Sequence, residues 1–157
     1  MTDYSRQMAY IEKTEDAEEL RRLISSAKRL DAGPVQDAAF RKLIALGIEY
    51  DPGSLEHDFW RTINAFEASL KEERGKTVRL SRTRQKVAKD GVPKTLADWA
   101  LGGRTDGFEM LLERDMPELL GEAIVLRHAG RFQPDVVQAA RDRLQSAGVD
   151  LERVMTL

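Results

Sequence analysis

The sequence contains no cysteine among its 157 residues. Disulfide bonds, thiolate metal sites and cysteine nucleophiles are therefore excluded, and the composition suits a reducing compartment. No stretch of the sequence approaches the roughly 20 consecutive apolar residues that a membrane helix needs. No apolar run follows the first residues, so a signal peptide is not expected. We expect a cytoplasmic protein that makes no membrane contact.

Histidine is also scarce, and this limits metal and acid–base chemistry. The two histidines are His57 and His128. In Glu56-His57-Asp58, neighbouring side chains of a helix would point about 100° apart, so the three cannot converge on one ion by themselves. His128 is followed closely by Gly130, a pattern typical of a helix C-terminus. We expect structural or surface roles for both histidines and no metal site.

Catalytic and cofactor motifs are missing as well. The sequence has neither a nucleophile elbow nor a glycine-rich phosphate loop. We therefore predict no catalytic residue and no cofactor. An enzyme whose site is assembled from scattered residues stays a third possibility, behind two binding functions described below.

Apolar residues recur at helical spacing along most of the chain. The most regular series steps by four, four, three and four residues, through Leu55, Phe59, Ile63, Phe66 and Leu70. No segment shows a convincing alternation of apolar and polar residues, which a half-buried strand would require. The pattern predicts an all-α fold, a compact bundle of about six to seven helices joined by short turns.

The same pattern predicts one helical domain over residues 1–157, with three parts. A helical hairpin covers residues 14–47, with Thr14 as its first cap. A long helix, or a pair of helices with a break near Gly75, covers residues 55–90 and has a basic C-terminal half. A helical C-terminal part follows over residues 95–157, with Thr95 as the cap of its first helix.

The net charge of −2 hides an uneven distribution. Residues 71–94, the basic segment, carry nine Lys or Arg against three Asp or Glu, a net +6. Residues 1–70 carry nine against 13 and residues 95–157 carry seven against 11, so each flank has a net charge of −4. Such asymmetry requires a structural or functional reason.

A helix over residues 76–90 would concentrate this charge. Spacings of three, three, four and three residues would then place five cations on one face, namely Lys76, Arg79, Arg82, Lys86 and Lys89. Leu80 and Val87 would lie on a different face and pack inward, with Arg84 beside them. Closely spaced cations suit the phosphates of a polyanion. The alternatives are a solvated helix face and a face neutralised by the acidic flanks.

The leading hypothesis is a small non-enzymatic nucleic-acid-associated protein without base preference, because phosphate contacts carry no sequence information. The contacts would run through Lys76, Arg79, Arg82, Arg84, Lys86, Lys89 and Lys94. A helix-turn-helix reader is not favoured, because the helix after Gly91 has no Lys or Arg between Thr95 and Leu101.

The second hypothesis is a helical adaptor or regulatory protein that binds another protein by charge-complementary contacts. The folded structure can distinguish the two hypotheses. A phosphate-binding face should be free of nearby carboxylates, whereas a neutralised or adaptor face should have Asp and Glu against it.

Overall fold

The computed structural model describes residues 2–156, which form ten α-helices and two short 3-10 helices and contain no strand. The all-α prediction is confirmed. The predicted number of six to seven helices is too low, because the N-terminal helix and several helices of five to eight residues give only weak periodic signals. The chain folds into two compact units, one ending at Ile48 and the other beginning at Glu49.

The described part of the first unit forms three helices: α1 (Ser5–Lys13), α2 (Ala17–Arg29) and α3 (Gly33–Ala45). Helices α2 and α3 pack on each other through buried side chains that include Leu20, Ile24, Ala39 and Phe40. They form a helical hairpin because the chain turns sharply between them, where Asp31 adopts a left-handed conformation with φ of 55°.

The start of this hairpin differs from the prediction. Thr14 does not cap α2 but ends α1, where its hydroxyl donates a hydrogen bond of 2.7 Å to the carbonyl of Tyr10. The cap of α2 is Asp16, whose carboxylate accepts a hydrogen bond of 3.0 Å from the Glu18 amide. The prediction of Thr14 was wrong because α1 buries only Ile11 and so leaves almost no apolar stripe in the sequence.

Seven α-helices lie in the described part of the second unit. These are α4 (Leu55–Arg74), α5 (Ser81–Asp90), α6 (Val92–Leu101), α7 (Asp106–Glu113), α8 (Gly121–Arg127), α9 (Pro134–Ser146) and α10 (Leu151–Met155). The 3-10 helices Pro117–Leu119 and Ala129–Arg131 flank α8. Within the residues described, no helix is long and apolar enough to cross a membrane.

Helix α8 lies at the centre of this unit. All residues from Gly121 to Leu126 are buried, and the helix contacts α4, α6, α9 and α10. A helix that is apolar on nearly every side is stable only when other elements surround it. Its one buried carboxylate, Glu122, is neutralised by Arg143 of α9 at 2.8 Å.

Helix α4 supplies the apolar series that the sequence shows most clearly. Phe59 and Ile63 are completely buried, whereas Phe66 is half-buried. The Phe59 ring stacks on Trp99 of α6, with ring centroids 5.5 Å apart. This contact joins α4 to α6 and fixes the position of the Trp99 ring.

Residues 76–80 are not helical. Gly75 ends α4 in a left-handed conformation with φ of 71°, which glycine adopts without strain. A second left-handed glycine, Gly91 with φ of 87°, separates α5 from α6. Helix α6 begins directly afterwards at Val92, so Thr95 lies inside the helix and is not the cap that the sequence suggested.

Candidate functional site

The basic segment does not form the continuous cationic stripe that a helix over residues 76–90 would give. Because α5 begins at Ser81, Lys76 and Arg79 lie on the non-helical chain before it. Arg82 and Lys89 do share a face of α5, since they are seven residues apart, or about two turns. The expectation that Leu80 and Val87 pack inward holds only in part, because both are half-buried and α5 has no fully buried residue.

Arg84 is held by a carboxylate and an aromatic ring of α4. Its Nε and Nη2 atoms donate hydrogen bonds of 2.9 and 2.6 Å to the two carboxylate oxygens of Glu67. Its guanidinium carbon lies 5.3 Å from the centroid of the Trp60 ring. The two parallel hydrogen bonds and the ring contact leave little of this guanidinium for an external phosphate.

Glu67 also fixes the chain before α5. Its Oε2 accepts a hydrogen bond of 2.7 Å from the backbone amide of Leu80. Burial acts to raise the pKa of Glu67. The hydrogen bonds from Arg84 and Leu80 outweigh this effect, so the pKa is lowered, and the positive charge of Arg79 adds a smaller lowering contribution. The Glu67 carboxylate is therefore ionised at neutral pH and connects α4, the non-helical chain and α5.

A second group of carboxylates neutralises the C-terminal half of α5. The Nζ atom of Lys86 lies 2.6 Å from Asp98 of α6 and 2.9 Å from Asp90. Lys94 lies 3.2 Å from the same Asp98 carboxylate. The hydrogen bond from Lys86 lowers the pKa of Asp98, and the hydrogen bond to Asp98 raises the pKa of Lys86. Lys86 and Lys94 are thus paired within the fold.

Four of the seven predicted phosphate ligands keep exposed side chains and make no ion pair with any residue that the structure describes. They are Lys76, Arg79, Arg82 and Lys89, named below the exposed cations. The other three, Arg84, Lys86 and Lys94, are paired with Asp or Glu. The Lys86–Asp90 and Lys94–Asp98 pairs have the i,i+4 spacing of one helix, but the Arg84–Glu67 and Lys86–Asp98 pairs join different helices and could not be foreseen from the basic segment itself.

The two histidine motifs, which are 70 residues apart, meet at Asp58. Asp58 is buried in the first turns of α4, and its Oδ2 lies 2.9 Å from Nε2 of His128 at the end of α8. Arg127 lies 3.5 Å from the same oxygen, and Arg61 lies 3.6 Å from Oδ1. We call these four residues the Asp58 cluster.

The Asp58 cluster has the contacts of a structural clamp. Arg127 Nη1 donates hydrogen bonds of 3.0 Å to the carbonyl of Glu118 and 2.9 Å to the carbonyl of Val154. Burial lowers the pKa of Arg127, and the Asp58 carboxylate opposes this shift. The Asp58 carboxylate therefore joins α4 to the end of α8, and Arg127 joins α8 to α10.

His57 lies beside this cluster and is also buried. Burial lowers its pKa, the nearby charge of Arg61 lowers it further, and the Asp58 carboxylate acts in the opposite direction. Among residues 2–156, no three His, Asp or Glu side chains are arranged to hold a metal ion.

An aromatic cleft is lined in part by Leu80 and Thr83, which directly follow Arg79 and Arg82 in the sequence. It has a volume of about 190 Å³ and is partly open to solvent. Its apolar walls are Phe66, Leu80, Trp99, Phe108 and Leu120, and we use the name aromatic cleft for the space between them. Thr83 of α5 also lines it. The regular apolar series of α4 had indicated a core position for Phe66, and a cleft was not expected from the sequence.

Glycines shape two sides of the aromatic cleft. A Cβ atom at Gly121 would lie 2.8 Å from the Trp99 ring, and one at Gly107 would lie 2.9 Å from the Phe66 ring. Both distances are well below van der Waals contact, so the rings can occupy these positions only beside glycine. The charged part of the lining is the Glu122–Arg143 pair, in which Arg143 also donates to the carbonyls of Trp99 and Gly102.

The size of the cleft decides what it could hold. Pockets for drug-sized ligands and cofactors usually have volumes of about 300–1,000 Å³. An engineered apolar cavity of about 150 Å³ binds benzene. At about 190 Å³, the aromatic cleft matches one aromatic ring better than a nucleotide or a cofactor.

No protein-family model matches this sequence, and no curated protein or solved structure is significantly similar to it.

Proposed function

We propose that this chain is a non-enzymatic helical adaptor or regulatory protein whose exposed cations bind an acidic protein partner. The observation that supports this function best is the pairing of Arg84, Lys86 and Lys94 with carboxylates. A surface that binds a polyanion gains affinity by replacing the counterions of successive phosphates with its own cations. Cations that are already paired with Asp or Glu contribute much less to this exchange.

The exposed cations that remain give a nucleic acid little to bind. Four phosphate contacts would give a slope of log affinity against log salt of about −3.6, from about −0.9 per phosphate. Two of these cations lie on α5 and two on the non-helical chain before it, so they do not follow one helical stripe. Stacking of bases on Trp60 has no support, because Arg84 covers that ring.

An acidic protein surface fits the same cations better. Protein interfaces use exposed charges to steer association and to select partners, and they do not need a regular phosphate spacing. The carboxylates of Asp90 and Asp98 already pair with Lys86 and Lys94, so this part of the basic segment has the nearby Asp residues that the adaptor hypothesis expects.

A selection of random peptides displayed on phage tests this proposal, because such a library offers the chain acidic, basic and neutral segments alike. We expect peptides selected on the wild-type chain to be enriched in Asp and Glu. The double variant Arg79→Glu/Arg82→Glu should lose at least tenfold in affinity for the selected peptides, because two attractive contacts become repulsive. The matched control is Lys28→Glu/Arg29→Glu, which makes the same change of charge at exposed positions of α2.

The outcomes separate the hypotheses. The adaptor function is supported if the selected peptides are enriched in Asp and Glu, and if their affinity falls in the Arg79/Arg82 variant but not in the Lys28/Arg29 control. It is contradicted if the peptides show no acidic enrichment, or if both variants lose affinity equally. Tight binding of a DNA or RNA duplex that the Arg79/Arg82 variant abolishes would instead support the nucleic-acid hypothesis.

A further inference from the structure

We infer that the aromatic cleft receives one aromatic side chain of the partner, next to acidic residues that contact Arg79 and Arg82. This inference rests on the proposed function and names the chemistry of the partner segment, namely an acidic peptide with one aromatic anchor. The observations that carry it are the size of the cleft, the rings that line it and the exposed cations that directly precede two of its lining residues in the sequence.

The lining of the cleft favours an aromatic anchor. Three of its walls are the rings of Phe66, Trp99 and Phe108, and aromatic pairs gain from offset or edge-to-face packing beyond the area that they bury. The volume of about 190 Å³ accommodates one ring. Anchors of this kind, seated in a preformed pocket, usually dominate the affinity of a protein interface.

The cleft is also preformed. The Trp99 ring is fixed by stacking on Phe59, with centroids 5.5 Å apart, and it lies against the backbone of Gly121. Arg143 holds the C-terminal end of α6 through hydrogen bonds to the carbonyls of Trp99 and Gly102. A pocket with fixed walls orders few groups when a ligand enters, so more of the contact energy becomes affinity.

Two exposed cations neighbour lining residues in the sequence. Arg79 and Arg82 directly precede Leu80 and Thr83, which line the cleft, and both arginine side chains are exposed. Gly103, Thr105 and Gly107 also line the cleft. In this segment the guanidinium of Arg104 is bound by Glu109 at 2.6 Å and lies 4.7 Å from the centroid of the Phe108 ring.

The same segment carries an exposed acidic residue, Asp106, in the first turn of α7. We expect the acidic residues of the partner to contact Arg79 and Arg82, which make no ion pair with the described residues.

The first test uses 4-methylphenol, which has the ring of a tyrosine side chain, as a probe for the cleft alone. In a chemical-shift titration of the isotope-labelled chain, we expect saturable shifts of the amide signals of Gly103, Gly107 and Gly121. Thr83→Leu should weaken binding of the probe at least fivefold, because a larger side chain then occupies part of the cleft. Gln85→Leu is the matched control, because Gln85 is exposed on the same helix and does not line the cleft.

The second test uses the acidic peptides from the display selection. Replacing the aromatic residue of a selected peptide by alanine should reduce its affinity for the wild-type chain at least tenfold. In the Thr83→Leu variant the same replacement should have a much smaller effect, because two changes at one contact are not additive. Thr83→Ile serves the same purpose if Thr83→Leu disturbs folding.

Failure of this inference can be distinguished from failure of the proposed function. The selected peptides could be acidic but carry no common aromatic residue, or Thr83→Leu could leave their affinity unchanged. Either result would contradict the aromatic anchor but not the proposed acidic partner. If 4-methylphenol shifts no cleft signal, the cleft does not receive a ring. If no acidic peptide is selected, both the proposed function and the inference that rests on it fall.

Discussion

The pairing of Arg84 with Glu67 predicts that two neighbouring arginines of α5 have very different effects on stability. We compare Arg84→Gln with Arg82→Gln, which make the same chemical change two residues apart. Arg84 makes two hydrogen bonds to Glu67 and covers Trp60, whereas Arg82 is exposed and makes no ion pair with the described residues. The comparison therefore measures how much of the positive charge of α5 serves the fold.

The expected magnitude follows from the geometry. The Arg84–Glu67 pair is mostly buried, with side-chain exposures of 25% and 16%. Hydrogen bonds to charged groups contribute about 1.5–3 kcal/mol, and the contact with Trp60 adds about 0.5–1 kcal/mol. After partial solvent screening we expect Arg84→Gln to lower the free energy of unfolding by about 2–3 kcal/mol. Arg82→Gln should stay within about 0.5 kcal/mol of the wild type, as is usual at exposed positions.

Denaturant titration at neutral pH and at about pH 3 checks this expectation. The pKa of Glu67 is lowered in the fold, so its contribution is present above the unfolded pKa of 4.5 and is lost as the pH falls through the folded pKa. The destabilisation by Arg84→Gln should therefore shrink in acid. Equal midpoints for Arg82→Gln and Arg84→Gln at neutral pH would refute the structural role of Arg84.

Three further predictions concern the fold. Phe59→Ala should lower the free energy of unfolding by about 3–5 kcal/mol, because Phe59 is completely buried. Phe66→Ala should lower it clearly less, because this change enlarges a cleft that is already open to solvent. Equal denaturant midpoints for the two variants would contradict this difference. The lowered pKa of His57 gives stability that is present above the unfolded pKa of 6.5 and lost as the pH falls below it. His57→Gln should therefore flatten the dependence of the free energy of unfolding on pH below 6.5, and an unchanged slope would contradict the lowered pKa. Gly121→Ala should displace the Trp99 ring and lower the free energy of unfolding by about 1–3 kcal/mol. Thermal unfolding measures the loss of stability, and near-ultraviolet circular dichroism detects the displaced ring. An unchanged spectrum would mean that the position of the ring does not depend on this glycine.

The local helical pattern could be predicted from the sequence, because it depends on residues that are three or four positions apart. Ser54 begins α4 and Gly75 ends it as capping rules predict, with the Ser54 hydroxyl accepting from the His57 amide at 3.1 Å. The start of α6 could not be found in this way. Gly91 turns the chain in a left-handed conformation, and Val92 begins the next helix without a side-chain cap.

The candidate site could be predicted only in part. The excess of positive charge was visible, but its distribution between paired and exposed side chains depends on contacts such as Arg84 with Glu67, which are 17 residues apart. The meeting of Asp58 and His128 spans 70 residues and leaves no periodic signal. The aromatic cleft depends on glycines that admit the rings of Phe66 and Trp99, and nothing in the local sequence distinguishes these glycines from ordinary loop residues.

The most direct test of the central claim compares two ligands in one binding assay. A fluorescent DNA duplex and an acidic peptide from the display selection are titrated with the wild-type chain at several salt concentrations between about 50 and 300 mM. We predict that the peptide binds and that the Arg79→Glu/Arg82→Glu variant weakens this binding at least tenfold. We also predict that the duplex binds no more tightly than the ~10⁻⁴ M of weak non-specific association. Tighter binding of the duplex, with a log–log salt slope near about −3.6 that the same variant removes, would contradict the adaptor function.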